Sequence, residues 1–145
     1  MDTAEIAIFG MGSFWEAEDT FARLPGVTHT SVGYTNGTSS DPTYHTLGDH
    51  IEAIRIEFDP HVISYEELLE HFWQQHDHTA EHAERFASII FYVDETQRQL
   101  AEAAMAEYAD PNSTTVLVPA TKFHEAEDYH QKYLAKLRGE HRKKT

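Results

Sequence analysis

"IFGMGSFWEAE", residues 8–18, sets the fold. An apolar run turns on Gly10 and Gly12 and opens into a helix at Ser13. Phe14, Ala17, Phe21 and Leu24 recur at spacings of three and four, which puts one apolar stripe on a helix over residues 13–24. Strand, glycine turn and helix in that order are the opening unit of an α/β domain. The first helical turn after the glycines has unpaired N–H groups and the positive end of the helix dipole. A reactive group placed there is well presented. The residue at that place is Ser13, in a chain with no cysteine.

The same alternation continues outward. "EIAIF" (5–9) reads as a buried strand and "TSVGY" (30–34) as another, with "LPGV" ending the helix between them. "IEAIRIEF" (51–58) alternates at period two, so Ile54, Ile56 and Phe58 share a face. Glu52 falls on that apolar parity, an odd place for a carboxylate. Ser64 and Glu67 form a capping box. They open a helix striped by Tyr65, Leu68, Leu69, Phe72, Trp73 and His76. "ASIIFYV" (87–93) is the strongest strand signal. Asp94 and Gln97 cap a helix running to Tyr108 on Leu100, Ala101 and Ala104. "TVLV" (115–118) reads as a strand and "EAEDYHQKYLAKLR" (125–138) as a last helix. The order predicts one domain over residues 1–145: a two-layer α/β sandwich with a mixed sheet and a frayed basic tail at 135–145. Two irregular polar stretches, 36–50 and about 76–86, flank the central strand. The site is expected where they meet the start of the first helix.

Composition narrows the chemistry. Of 145 residues, 40% are hydrophobic and 12% aromatic, enough for a core. The net charge of −14 argues against a nucleic-acid partner, which needs a basic footprint. No apolar run nears the roughly 18 residues of a membrane span, and "MDTAEIAIFG" lacks signal-peptide features, so a cytoplasmic protein is expected. Without cysteine the chain as written has no disulfide, thiolate metal site or thiol catalysis. Eleven histidines are many for this length. In "HFWQQHDHTAEH" (71–82), His78 and His82 are four apart, as zinc ligands on a helix can be. No full ligand set has a recognised spacing, so a His-rich metal-binding protein is the lesser reading and no metal is expected.

Nine motifs in order carry a resemblance. They are Gly12-Ser13-Phe14-Trp15, "LPGV", "VGYTNG", "DPTY", "HIE", "FDP", "ISYEELLEHFW", "SIIFY" and "FHEAEDYHQKYL", in register over about residues 6–134. The chain resembles the type A peptide methionine sulfoxide reductases. The resemblance implies a ferredoxin-like plait and thiol-dependent reduction of peptide- or protein-bound methionine-S-sulfoxide. Its partners would be oxidised proteins or peptides and a reductant such as thioredoxin, with no cofactor, nucleic acid or membrane. Ser13 stands where the family has its nucleophilic cysteine. Glu52 matches the carboxylate that protonates the sulfoxide oxygen, which calls for a poorly solvated pocket that raises its pKa. Tyr44 matches a phenol that holds the same oxygen. Phe14 and Trp15 match the apolar wall that takes the substrate methyl.

The chain departs from that pattern in its chemistry. Phe86 stands where the family's second tyrosine is expected, and would close the pocket with one oxygen donor fewer. The loop "HTAEHAER" (78–85) is shortened, Glu81 falls near the family's aspartate, and an insert is missing between residues 44 and 52. No resolving cysteine is present, so turnover would need an external thiol. Serine is the larger change. A helix end can bring a thiol below pH 7, whereas a serine hydroxyl needs an adjacent base. A sulfenic acid needs sulfur. The chain as written is therefore expected to bind methionine sulfoxide without reducing it, either as a Cys-to-Ser variant or as a natural pseudoenzyme. Ser13 could instead be a helix N-cap. It could also be a hydrolase nucleophile with His50 as base, but the second glycine of a Gly-x-Ser-x-Gly elbow is missing.

Overall fold

The computed structural model describes residues 4–37, 43, 50–75, 88–108 and 114–137. Tyr44, Phe86, Glu81, His76, His78 and His82 lie outside the described residues, as do most of both polar stretches. The elements run β1 (Glu5–Met11), α1 (Phe14–Ala22), β2 (Val27–Thr35), β3 (Ile51–Phe58), α2 (Tyr65–Gln74), β4 (Ser88–Tyr92) and α3 (Glu95–Tyr108). Then come β5 (Val116–Pro119), β6 (His124–Glu125), a 3-10 turn (Asp128–His130) and α4 (Tyr133–Leu137).

The six strands form one sheet in the order β5-β4-β1-β3-β2-β6. Only β4 and β5 pair in parallel, so the sheet is mixed as expected. β1 and β2 both run antiparallel to β3, and are therefore parallel to each other with β3 between them. β3 and β4 are likewise split by β1. Two interlocked βαβ units with each other's strand in the gap make the ferredoxin-like plait.

Strand parity sorts the core. Ala7, Phe9 and Met11 of β1 face the same way as Ile54, Ile56 and Phe58 of β3, and meet Phe21, Leu68, Leu69 and Phe72 of the helices. Ile8, Ala53, Ile89 and Phe91 face the other way and pack with Val118, Ala120 and Phe123. The helices thus cover one face, while Ala120 and Phe123 in the coil after β5 pack on part of the other. Both expected helix starts form. Ser64 Oγ accepts from Glu67 N, and Glu67 Oε1 accepts from Ser64 N, each at 3.0 Å. Asp94 Oδ1 accepts from Gln97 N at 2.8 Å. Gly26, in "LPGV", has φ +96, and a Cβ there would meet Ile63 Cγ2 at 2.7 Å, so the turn excludes larger residues twice over.

One expected element is wrong. Residues 125–138 do not form a single helix: β6, the 3-10 turn and α4 share the stretch. The reason is the outer edge of β2. Val32 N donates to Gln131 Oε1 at 2.9 Å, Val32 O accepts from Ala126 N at 2.9 Å, and Gln131 Nε2 donates to Val32 O at 3.0 Å. A continuous helix would leave those buried strand groups unpaired, which costs more than helix propensity returns. The tail is also less irregular than expected at its start, since residues 135–137 belong to α4.

Candidate active site

The site is built at the start of α1. Gly12 has φ +92, which turns the chain from β1 into the helix; a Cβ there would meet nothing within 4 Å, so the requirement is conformational. Ser13 follows as the N-cap in extended conformation, half-buried, and its hydroxyl makes no capping hydrogen bond. The N-cap reading is therefore right for the backbone and wrong for the side chain. Glu52 supplies the acceptor instead: its Oε1 takes the Phe14 N–H at 3.2 Å. Glu52 is 2% exposed. Its parity on β3 points it at the helix layer, as the sequence pattern required. A carboxyl oxygen that accepts from an N–H left unpaired at a helix start is not an orphan in the interior, which explains how a buried acid is tolerated there.

Tyr34 stands directly across from Glu52 in the β2–β3 register. Its hydroxyl donates to Glu127 Oε1 at 2.8 Å. Burial, that hydrogen bond and the negative charges of Glu127 and Glu52 hold its ionisation well above the ordinary phenol range. It stays a neutral donor at any working pH. His50, two residues before Glu52, is buried with its ring edge-on to His124 at 5.2 Å.

Two aromatic residues complete the wall. Phe14 is 1% exposed, with its ring 5.7 Å from Tyr34 and 5.2 Å from His130. Trp15 is half-buried. Its indole N–H donates to His130 Nδ1 at 2.9 Å, and its ring stacks on Tyr133 at 4.1 Å and 17°. His130 accepts through Nδ1, so the neutral ring carries its proton on Nε2. An open groove of about 540 Å³ runs from Trp15 along Glu18, Thr30, Lys132 and Leu134; its lining does not include Ser13, Phe14 or Glu52. It is a neighbour of the site and not the site itself.

The structure thus brings together Ser13, Phe14 and Glu52, with Trp15 beside them. Tyr44 and Phe86 lie outside the described residues. Sequence reasoning missed Tyr34, Glu127, His130 and Gln131 as site-building residues. The signal was there in part: polar residues packed into a stretch with apolar spacing are hard to place on one helix. Among the described residues no group of three or more histidine, cysteine or acidic side chains is placed to hold a metal, and no helix is long and apolar enough to cross a membrane.

Comparison with known proteins fits this arrangement. The sequence signature of the peptide methionine sulfoxide reductase family matches residues 5–145. A Drosophila melanogaster peptide methionine sulfoxide reductase is 43% identical over 137 residues, covering 90% of this chain and 56% of that protein. The chain thus spans little more than half the length of that relative. A Methanococcus maripaludis peptide methionine sulfoxide reductase MsrA is 39% identical over 149 residues, covering 94% of this chain and 95% of that protein. Among solved structures, Mxr1 from Saccharomyces cerevisiae in reduced form has a TM-score of 0.82 at 24% identity, covering 92% of this chain and 86% of the yeast chain. The same yeast protein in complex with Trx2 has a TM-score of 0.64 at 23% identity, covering 90% and 85%. At those identities the yeast structures speak for the fold alone.

Proposed function

The chain belongs to the peptide methionine sulfoxide reductase family, and from that premise we propose that its site binds methionine-S-sulfoxide in peptides and oxidised proteins and, with serine at position 13, does not reduce it. The observation that carries this reading is the placement of Glu52. A buried carboxylate sits on the first N–H of α1, one residue from Ser13, beside the Phe14 and Trp15 rings.

The chemistry follows from a sulfur at position 13. A thiolate there attacks the sulfoxide sulfur. Glu52 gives its proton to the oxygen, with Tyr44 as the second hydrogen-bond donor. The oxygen moves to the attacking sulfur, the substrate leaves as methionine, and the cysteine is left as a sulfenic acid, one oxygen richer. Phe14 and Trp15 take the substrate methyl; Phe86, which the resemblance sets at the family's second tyrosine, offers no further oxygen donor. An external thiol, with thioredoxin as the protein partner, condenses with the sulfenic acid to a mixed disulfide and water, and a second thiol exchanges with that disulfide to free the thiol at position 13. No cofactor enters, and the setting is cytoplasmic, where thiols are kept reduced.

Ser13 stops this at its first step. A hydroxyl has no thiolate-like form near neutral pH, and moving the oxygen onto it would make an O–O bond. The chain is then either a Cys-to-Ser variant of a working reductase or a natural pseudoenzyme that keeps the binding half of the function. A side-by-side assay of the chain and Ser13→Cys, with a methionine-S-sulfoxide peptide and dithiothreitol, tests the reading. Turnover by the cysteine form alone supports it. No turnover by either form, with no binding of the peptide, would sink it.

A further inference from the structure

Glu18 is a buried acid that the reaction above does not use. It lies one turn beyond Trp15 on the same face of α1, and is 1% exposed. Its carboxylate collects three donors from two other parts of the fold. Oε1 accepts from the Lys132 backbone N–H at 2.5 Å. Oε2 accepts from Thr30 Oγ1 of β2 at 2.7 Å and from Lys132 Nζ at 3.1 Å. The ammonium also donates to Thr30 O at 3.2 Å. The groove beside α1 opens on this cluster.

Lys132 is where the chain bends. Its φ is +57, a left-handed conformation that a lysine adopts only when its surroundings hold it there. The bend separates the 3-10 turn from α4. It also decides where the residues on either side point: His130 to the Trp15 indole N–H, and Tyr133 flat against the indole ring. Trp15 and Glu18 on α1 therefore face His130, Lys132 and Tyr133 across one contact.

Resting on the function proposed above, we infer that Glu18 is a positioning residue: by holding the left-handed turn at Lys132 it fixes His130 and Tyr133, and through them the orientation of Trp15 in the methyl pocket. Glu18 touches neither substrate nor the position 13 side chain. Its effect is on the shape of the apolar wall, and so on substrate binding more than on the chemical step.

The test compares Glu18→Gln with its parent in two readouts. In the Ser13→Cys background, KM for a methionine-S-sulfoxide peptide rises about tenfold while kcat stays within about twofold. In the Ser13 chain, where no chemistry is needed, the Trp15 indole N–H signal in a 15N-correlated NMR spectrum shifts and broadens. The chain has two tryptophans, so Trp15→Phe assigns it. Should Glu18→Gln fail to fold, Thr30→Val removes one donor to Glu18 and moves both readouts the same way, KM by about threefold. A lowered melting temperature with KM and the Trp15 signal unchanged would overturn the inference and leave Glu18 a structural group only. If Ser13→Cys itself does not turn over, it is the proposed reductase function that fails, and the indole signal still decides the role of Glu18.

Discussion

The Glu52 carboxylate and the Phe14 amide, 38 residues apart in sequence, meet at 3.2 Å, so the first N–H of α1 is satisfied by an acid from the sheet and not by Ser13. This leaves the Ser13 side chain unneeded as a cap. The position can hold a nucleophile without loss of the helix start, because the strand already supplies what an N-cap would.

Replacing Glu52 by Gln separates its two duties. The amide oxygen still accepts from Phe14, so the hydrogen bond at the helix start is kept, and stability falls by less than about 2 kcal/mol. The acid is gone, so in the Ser13→Cys form kcat/KM falls by about 10²- to 10³-fold. Urea unfolding and steady-state kinetics check the pair. A stability loss as large as the kinetic one would mean Glu52 is chiefly structural.

Gln131 gives a prediction about the edge of the sheet. Its side chain accepts from Val32 N at 2.9 Å and donates to Val32 O and Ala126 O at 3.0 Å each. Gln131→Ala leaves these part-buried groups short of a partner, at about 1–3 kcal/mol. Gln131→Glu keeps the acceptor but aims a carboxylate oxygen at two carbonyls, and is the worse of the two. Calorimetry should show a melting-temperature drop of about 3–10 °C for the alanine variant. An equal or smaller drop for glutamate would contradict the assigned bonds.

Phe9 anchors the core between the sheet and the helices. Its ring lies 5.1 Å from Phe72, 5.7 Å from Phe21 and 6.2 Å from Tyr65, which joins β1 to α1 and α2. Phe9→Ala costs about 3–5 kcal/mol, a large part of a domain's usual margin of about 5–15 kcal/mol. Val62→Ala, at a side chain 57% exposed, changes stability by less than about 0.5 kcal/mol. Denaturation midpoints for the two variants measure the contrast.

How much of this was legible in the sequence follows from where each residue finds its partners. Phe9, Phe21, Leu68 and Phe72 are apolar at the right period, and the helix and strand patterns place them with no knowledge of what they meet. Glu52 broke its strand's pattern, and that break was informative: an acid on an apolar parity marks a buried acid. Glu127, His130 and Gln131 look like surface residues of a last helix. His130 is buried and Glu127 and Gln131 are half-buried because their partners, Trp15, Tyr34 and Val32, lie 93 to 115 residues away. A local pattern carries no trace of such pairs. The same holds for the interlocking of the two βαβ units, which alternation of strands and helices allows but does not require.

Alkaline pH should weaken the fold through two phenols. Burial raises the ionisation of Tyr34, with Glu127 and Glu52 adding to it, and burial beside Asp94 raises that of Tyr65. In the unfolded chain both return to the ordinary value of about 10. Folding therefore favours their protonated forms. That contribution is fully present below about pH 10 and is lost progressively as pH rises from there towards the folded values. Urea midpoints at pH 9, 10 and 11 should fall over the last interval. Absorbance at 295 nm should show fewer than the chain's seven tyrosines ionising before the far-UV signal is lost, and the remainder with it. Tyr34→Phe should lessen the fall in stability above pH 10, because one of the two phenols is removed. Seven tyrosines ionising in one step near pH 10, with unchanged urea midpoints, would refute the burial of both.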